Sequence, residues 1–453
     1  MYYYSTRSKA QGLSFAQAAL TGLAPDGGLF VPEIIPPYRA SVRTSLGTMD
    51  FHDIAFETIK PYVYGEIPDT VLADLIHEAY PFSAPLVQVE AQLVLELFHG
   101  PTAAFKDFGA RFMARAFAYL RRGEEQSLHI LVATSGDTGG AVAAGFHGVE
   151  GMRVTVLYPK GRVSPLQEQQ IAGLGGNIQA LAVEGTFDDC QRLVKIAFSD
   201  QTLQKQQALS SANSINIARL IPQSIYYAAA AGKAFAGKSD TPQGASPWDA
   251  LKAAPPGTVS LKPGEPITFC VPSGNFGNLT AGLYAMKMGA PIRGFIAATN
   301  SNKTVPDYLA SGLYQPRPSQ ATISNAMDVG APSNFERMSA QWSWEALRQL
   351  LQGVYVSDEA TRRIIEEVHH SQGYFLDPHT AVAWQGLNQI RRAASLSGPV
   401  GILATAHPAK FAEIVEPLVG PVPVPESLKH VMEGKTLARI IPADISALLE
   451  VLC

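Results

Sequence analysis

Lys106 stands where a Gly-Pro turn leads into an apolar helix, in the stretch LELFHGPTAAFKDFGARFMARAFAYLRRG at residues 95–123. A lysine at a helix N-terminus faces the positive end of the helix dipole, and the neighbouring Phe105 and Phe108 would remove water from it. Both effects favour the neutral amine, which is the form that attacks a carbonyl to make a Schiff base. The alternative is a surface lysine whose stem lies across apolar groups, and this stretch alone slightly favours that alternative.

The helix that follows Lys106 is marked at both ends. Asp107 falls in its first turn, Arg121 and Arg122 fall in its last turn, and Gly123 comes just after it. These positions suit the helix dipole and the preferred C-terminal cap. The residues between them are mostly apolar, so we expect most of this helix to be buried.

Two further stretches, 134–140 (TSGDTGG) and 272–278 (PSGNFGN), have the composition of anion-binding loops between a strand and a helix. Small residues let the backbone approach an anion, and the following helix offers free N–H groups. Neither stretch is a dinucleotide fingerprint or a P-loop, and each alone could be a tight turn. Asp137 would oppose a close phosphate unless it points away. The second loop has no acid and is the better candidate for a cofactor phosphate; its polar residues are Ser273, Asn275 and Asn278.

The run SSANSINIARLIPQ at 210–223 places Arg219 as the lone charge in a buried-looking helix. A buried arginine needs an anionic partner, and on spacing alone a structural salt bridge is the favoured interpretation. Thr405 ends a strand in the stretch ATAHPAKF, which could be a simple turn.

The histidines do not have the sequence spacing of metal ligands, such as His-x-x-His or a Cys–His pair, so we predict no metal site. The histidines considered are His99, His147, His369, His370, His379 and His407.

The order of elements predicts an α/β protein. Residues 1–88 mix short helices with Gly/Pro turns, and from residue 89 strands alternate with helices, which argues for parallel sheets covered by helices on both faces. Residues 213–236 predict one long apolar helix, and residues 237–266 predict a long surface excursion. Ser164 with Gln167, and Thr186 with Asp189, have the spacing of helix capping boxes.

Composition narrows the class of protein. The chain has 453 residues, of which 46% are hydrophobic and 16% charged, so we expect two or three well-buried domains. A net charge of -4 gives no electrostatic case for a nucleic-acid or anionic-membrane partner. Three scattered cysteines, without a signal peptide or an apolar run of membrane-spanning length, favour a cytoplasmic protein.

Five motifs in this order, HGPTAAFKDFGARFM, SGDTGG, PSGNFGN, NSINIARLIPQ and TAHPAKF, resemble threonine synthases. The opening YYSTRSKAQGLSFAQAALTGLAPDGGLFVPE resembles the N-terminal block of the longer bacterial and fungal form of that family. The resemblance implies two parallel-sheet βα domains of the fold-type II pyridoxal-phosphate enzymes plus an N-terminal domain. It implies an N-terminal domain at 1–88, a large cofactor-binding domain at 89–126 and 213–453, and a small substrate domain at 127–212.

The resemblance also implies roles for individual residues. Lys106 would form the Schiff base with pyridoxal 5'-phosphate, and Thr405 matches the position whose hydroxyl meets the pyridine nitrogen. The loop that would hold the cofactor phosphate consists of Ser273, Gly274, Asn275, Phe276, Gly277 and Asn278. The loop that matches the family's substrate-carboxylate loop consists of Thr134, Ser135, Gly136, Asp137 and Thr138. The residues implied to meet the substrate phosphate are Ser214, Asn216 and Arg219.

The implied reaction converts O-phosphohomoserine and water into threonine and phosphate. A lyase that releases 2-oxobutyrate from the same substrate, and a non-catalytic relative that binds the cofactor, stay open as alternatives. A dehydratase or cysteine synthase is disfavoured because those enzymes lack the long N-terminal block. The chain is expected to act on a small molecule as a monomer or homodimer. Residues 377–380 and 325–338 also match the family, without an assigned role.

Overall fold

The structure is a computed structural model, and it describes residues 1–89, 91–240, 261–393, 396–432, 434 and 436–452. Most of the predicted surface excursion therefore lies outside the described residues. The strands are β1 (Tyr3–Ser5), β2 (Phe30–Pro32), β3 (Leu86–Val89), β4 (Gln92–Glu96), β5 (Leu128–Ala133), β6 (Met152–Pro159), β7 (Ile178–Glu184), β8 (Ala208–Ser211), β9 (Ile267–Pro272), β10 (Ile292–Thr299), β11 (Leu351–Tyr355), β12 (Val400–Ala404) and β13 (Arg439–Pro442).

The helices occupy the segments between these strands. They are α1 (Phe15–Thr21), α2 (Ala40–Ser45), α3 (Phe51–Val63), α4 (Asp69–Ala79), α5 (Lys106–Leu120), α6 (Asp137–Phe146), α7 (Pro165–Ala172), α8 (Phe187–Ser199), α9 (Gln201–Gln206), α10 (Ile217–Leu220), α11 (Ser224–Phe235), α12 (Gly277–Met288), α13 (Thr304–Ser311), α14 (Ser333–Ser339), α15 (Trp344–Leu350), α16 (Asp358–Gln372), α17 (Pro378–Ala393), α18 (Ala412–Val419), α19 (Glu426–Met432) and α20 (Ile445–Leu452). None of the described helices has the length and apolar character that crossing a membrane requires.

Two larger sheets carry the fold. The larger has the order β11-β10-β9-β12-β4-β3 and is parallel except for β3, whereas the smaller has the order β13-β7-β6-β5-β8 and is parallel throughout. Phe269 and Cys270 of β9 point into different apolar clusters, as do Ile130 and Leu131 of β5. Both sheets are thus buried on both faces, which confirms the predicted α/β class.

The N-terminal region packs through α3 and α4 against α11 and α5. Its two short strands β1 and β2 pair with each other, and the hydroxyl of Tyr3 donates to the Tyr62 carbonyl oxygen at 2.8 Å. The predicted boundary at residue 88 falls inside β3, which pairs with β4 in the antiparallel direction. The large sheet therefore begins at Leu86, three residues before the predicted start of the large domain at residue 89.

The end of the chain differs from the domain prediction. β13 pairs with β7 of the small sheet, and Leu448 and Leu452 of α20 share an apolar cluster with Leu193 of α8. The prediction that all of 213–453 belongs to the large domain is wrong in this last segment. The pairing joins parts of the chain that are far apart in sequence, so no local pattern indicates it.

Local signals explain where several helices begin and end. Both predicted capping boxes form, at Ser164 with Gln167 and at Thr186 with Asp189. The predicted long helix at 213–236 is instead divided into α10, a 3-10 turn at Ile221–Gln223 and α11. The division falls at Pro222, whose ring disfavours a continuous helix. Helix α5 ends at Leu120, so Arg121 is its C-terminal cap rather than part of its last turn.

Candidate active site

The predicted site residues converge in a cavity lined from both larger sheets. Lys106 begins the helix after β4, Ser135 follows β5, the loop 273–277 follows β9, and Thr405 follows β12. The carboxyl ends of parallel strands lie at one edge of a sheet, so these segments meet there. This edge is where parallel sheets commonly bind ligands.

Lys106 points into this cavity from the first residue of α5. Its side chain is 14% exposed, and its Nζ lies 3.3 Å from Oδ2 of Asp137 and 4.7 Å from the centre of the Phe105 ring. Burial lowers the pKa of Lys106; Asp137 opposes this shift, whereas the charges of Lys410 and Arg219 add to it. The local environment favours the neutral amine, as the sequence predicts.

Asp137, the first residue of α6, faces two lysines. Its Oδ1 accepts hydrogen bonds from Lys410 Nζ at 2.8 Å and from Gln167 Nε2 at 2.9 Å, while Oδ2 faces Lys106. Burial opposes ionisation of this carboxyl, but the charges of Lys410 and Lys106 outweigh burial and hold its pKa well below the usual range. The carboxylate is therefore engaged by protein cations, and its charge is compensated.

The loop 273–277 is shaped by close packing. A Cβ on Gly274 would lie 2.7 Å from the Cα of Met327, so a larger residue does not fit there without movement. Phe276 adopts a left-handed backbone with φ of 59°, and α12 begins at the next residue. Asn275 fixes the loop by donating to Ser214 Oγ at 2.5 Å and accepting from the Ser333 N–H at 2.6 Å.

Asn278 carries a buried donor that has no partner. Its Oδ1 accepts from the hydroxyls of Tyr226 and Tyr227 at 2.6 and 2.7 Å, which fixes the orientation of the amide. Its Nδ2 is buried and meets no acceptor among the described residues, and the residue lines the cavity. A buried donor at a helix N-terminus is suited to an anion such as a phosphate.

Arg219 is a buried cation without a carboxylate partner in the described part of the chain. Its Nη1 donates to the Ala212 carbonyl oxygen at 2.7 Å, and its Nε is unpaired. Burial lowers its pKa to about 10, although the charge of Asp107 opposes this shift. The structural salt bridge favoured by spacing alone is not formed among the described residues. Arg219 lines the cavity, and its Nε is available to donate a hydrogen bond to a ligand.

Two of the predicted substrate residues do not line the cavity. Asn216 is fully buried, caps α10 through Oδ1, and donates through Nδ2 to the carbonyl oxygens of Ala19 and Ser211. This placement contradicts a substrate contact, because both polar atoms of the side chain are already engaged. Gly136 has φ of 143° and is the N-terminal cap residue of α6, directly before Asp137. The remaining predicted members of this group line the cavity and are Thr134, Ser135, Asp137, Thr138, Ser214 and Arg219.

Comparison with known proteins decides the family. A family model described as "Pyridoxal-phosphate dependent enzyme" matches residues 78–406, and models described as "Threonine synthase N terminus" and "Threonine synthase, C-terminal" match residues 2–80 and 380–451. A threonine synthase of Serratia marcescens is 41% identical and covers 99% of this chain and 98% of its own length. The chain belongs to the threonine synthase family.

Solved threonine synthases share the whole fold of this family member. The crystal structure from Escherichia coli superposes with a TM-score of 0.85 at 39% identity, covering 100% of this chain and 99% of that chain. A pyridoxal-phosphate-bound threonine synthase from Brucella melitensis gives 0.86 at 35% identity, with 100% and 98% covered. The fold-type II architecture with an N-terminal domain is confirmed, and the cofactor is pyridoxal phosphate.

Two cavity residues, His379 and Asp328, are given no role by the sequence interpretation above. His379 accepts from the Ala326 N–H at Nε2, so its Nδ1 carries the proton that faces Asp377 Oδ1 at 2.8 Å. Asp328 accepts from Asn300 Nδ2 at 2.8 Å, and burial raises its pKa to about 6. Both residues fall in segments that resemble the family in sequence, 325–338 and 377–380, and that resemblance is the sequence signal that points to them.

Lys410 is the third residue that sequence reasoning missed. It lies inside the matched motif TAHPAKF, in the 3-10 turn Pro408–Phe411, and is fully buried. A lysine followed by Phe411 in a turn gives no sign of burial, because long charged side chains usually remain at the surface. Only the folded arrangement brings it to Asp137.

Proposed function

We propose that this chain converts O-phosphohomoserine and water into L-threonine and inorganic phosphate with pyridoxal phosphate as cofactor. One observation carries the proposal. Lys106 lines the same cavity as Nδ2 of Asn278 and Nε of Arg219, two buried donors that meet no acceptor among the described residues. A phosphorylated substrate together with a phosphorylated cofactor needs two such anion sites beside one lysine.

The residues present fit the cofactor. The N–H groups at the start of α12 and the unpaired amide of Asn278 are suited to its phosphate, and Thr405 is suited to its ring nitrogen. Lys106 would hold its aldehyde carbon through Nζ. When bound, pyridoxal phosphate supplies an electron sink for the negative charge that develops next to the substrate amino group.

Lys106 then has a second task. Its Nζ would also lie beside the α and β carbons of the bound substrate, where it could move protons. The lowered pKa of Lys106, caused first by burial, suits both tasks because each begins from the neutral amine.

The substrate is proposed to lie between the two sheets of the fold. Arg219 would meet its phosphate through the unpaired Nε, with Ser214 beside it. Ser135 and Thr138 of the first loop would bind the substrate carboxylate. The side-chain carboxylate of Asp137 would remain paired with Lys106 and Lys410. This arrangement removes the repulsion that a free Asp137 would impose on an anionic substrate.

Product analysis tests the proposal. The purified, cofactor-loaded chain is incubated with O-phosphohomoserine, and threonine, 2-oxobutyrate and phosphate are each measured. Equal amounts of threonine and phosphate are expected. Phosphate with 2-oxobutyrate would assign the lyase reaction instead, and absence of phosphate release would favour a non-catalytic relative that binds the cofactor.

Substitution of the lysine tests the mechanism. Lys106→Ala is expected to lower turnover by at least about 10³-fold, because it removes both the attachment and the proton carrier. The exposed lysine Lys287 on α12 provides the matched control, and Lys287→Ala should turn over like the unsubstituted enzyme. Circular dichroism checks that both variants fold; near-normal turnover by a folded Lys106→Ala would refute the mechanism.

We also propose that the enzyme works in the cytoplasm as a monomer or homodimer. Cys190 and Cys270 are buried free thiols, which suits a reducing compartment. Light scattering after size-exclusion chromatography measures the assembly, and a mass above that of two chains would contradict this part of the proposal.

A further inference from the structure

Lys410 is a buried lysine whose ammonium group is fully committed to the protein. Its Nζ donates to Oδ1 of Asp137 at 2.8 Å and to the carbonyl oxygen of Thr102 at 2.8 Å. Its own carbonyl oxygen accepts from Ser164 Oγ at 3.0 Å, so its backbone is held as well. The side chain is fully buried, whereas that of Lys106 is 14% exposed toward the cavity.

One carboxylate thus serves two lysines, and the two lysines are not equivalent. Lys410 has two acceptors at 2.8 Å, whereas in the described part of the chain Lys106 has one, Asp137, at the longer distance of 3.3 Å. A buried ammonium needs acceptors, so this geometry makes Lys410 the closer cation of Asp137 and leaves Lys106 less firmly held.

We propose that Lys410 is a positioning residue of the active site, which holds the Asp137 carboxylate as its own counter-ion and so leaves Lys106 free to react as a neutral amine. This inference rests on the proposed role of Lys106. It also explains how an acid can stand in a loop that would otherwise receive an anionic substrate. Lys410 neutralises that acid from the side away from the cavity.

Other charged groups face the same cluster. Arg219 adds positive charge near Lys106, and His379 acts on Asp137 from across the cavity. The Asp107 carboxylate is close enough to Lys410 to feel its charge, but it accepts from the hydroxyl and N–H of Thr102 at 2.6 and 2.9 Å. These groups are unchanged in the variants below, so their contributions cancel in the comparison.

The experiment measures how fast Lys106 captures pyridoxal phosphate as a function of pH. The full-length chain is stripped of cofactor, capture is followed by absorbance, and borohydride reduction with peptide mass analysis identifies the lysine. Lys410→Met removes a positive charge, so that Asp137 interacts with Lys106 without competition from Lys410. The midpoint, which is the pH at which the rate of capture is half its maximum, should rise by about one pH unit or more. Asp137→Asn should lower it by a similar amount, since Lys106 then faces only positive neighbours.

Two further variants distinguish positioning from structural support. In Lys410→Met with Asp137→Asn, both charges are gone, and the midpoint should return to within about half a pH unit of the starting value. Lys410→Arg keeps the charge and should leave the midpoint in place. If Lys410→Met alone does not fold, the double variant is compared with Asp137→Asn, from which it differs only at residue 410; its midpoint should be higher, and equal midpoints would overturn the role of Lys410.

The outcomes separate this inference from the function on which it rests. Equal midpoints in the folded variants would overturn the role of Lys410 and leave Lys106 as the reactive lysine. A starting enzyme that captures the cofactor at a different lysine, or not at all, would overturn the proposed function itself.

Discussion

The loops that precede α6 and α12 both connect a parallel strand to a helix, yet their polar side chains meet opposite partners. In the first, Asp137 is engaged by Lys410, Lys106 and Gln167, and its charge is compensated. In the second, Asn278 has its oxygen held by two tyrosine hydroxyls and its nitrogen unpaired. The same strand-to-helix connection therefore produces one loop whose acid is compensated by protein groups and one loop with a donor left for a ligand.

The difference shows what a helix N-terminus contributes to a site. The dipole and the free N–H groups are present at both loops and do not distinguish them. The neighbouring side chains decide which loop attracts an anion, because an unpaired buried donor gains a partner when an anion binds, whereas a compensated acid gains nothing. Each of the following tests changes one side of this comparison.

The largest effect is expected from Asn278→Asp, which makes the second loop acidic like the first but without its lysines. The new carboxylate can still accept from both tyrosines, so its other oxygen replaces the unpaired nitrogen and repels the cofactor phosphate. Affinity for pyridoxal phosphate should fall at least about 100-fold, measured by titration of the cofactor-free chain. Tyr227→Phe removes only one of the two tyrosine donors and should cost less; unchanged affinity in Asn278→Asp would place the phosphate elsewhere.

Arg219→Met tests the second unpaired donor. Loss of a charge-assisted hydrogen bond to the substrate phosphate should raise KM about 10- to 100-fold. Arg337 is the matched control, because it is equally buried but donates to Phe30 O, Asn334 Oδ1 and Ile215 O outside the cavity. Arg337→Met should lower the melting temperature without a comparable change in KM, and an equal change in both variants would make Arg219 structural.

Gly274→Ala tests the backbone of the second loop. The added Cβ would lie 2.7 Å from Met327 Cα and 3.0 Å from Ala326 O, so the loop must move. Affinity for the cofactor should fall about tenfold, which lies within the roughly 1–3 kcal/mol that overpacking typically costs. Gly140→Ala in α6 meets the Cβ of Gln170 at 3.1 Å and should leave affinity nearly unchanged; equal losses would show that the two loops respond alike.

The smallest effect concerns Asp328, a carboxyl that also lines the cavity. Burial raises its pKa to about 6, so it is neutral below that pH and negative above it. Anion binding should therefore weaken about two- to fivefold as the pH rises from 5 to 7. Competitive inhibition by sulfate, which remains a dianion over this range, measures the effect. Asp328→Asn should remove the dependence, and an identical pH profile in this variant would assign it to another group.

Sequence predicts the parts of this site that rest on local signals. Lys106 at the start of a helix, the capping residue Ser164 and the acid-free loop that ends at Asn278 are readable because each depends on its immediate neighbours. Lys410 and β13 were missed, since their partners lie far away; Lys410 and Thr102 are 308 residues apart. Contact between two polar side chains that are distant in sequence does not change the spacing of apolar residues in either segment, so no sequence pattern indicates it.

The last strand of the chain also sets the order in which the protein can be assembled. β7 lies inside the small sheet only because β13 covers it, and β13 is made after nearly all other residues. Until synthesis reaches Pro442, the β7 edge exposes unpaired backbone groups that can pair with another chain. A chain cut before β13 would therefore keep every cavity residue named above and still be prone to aggregate.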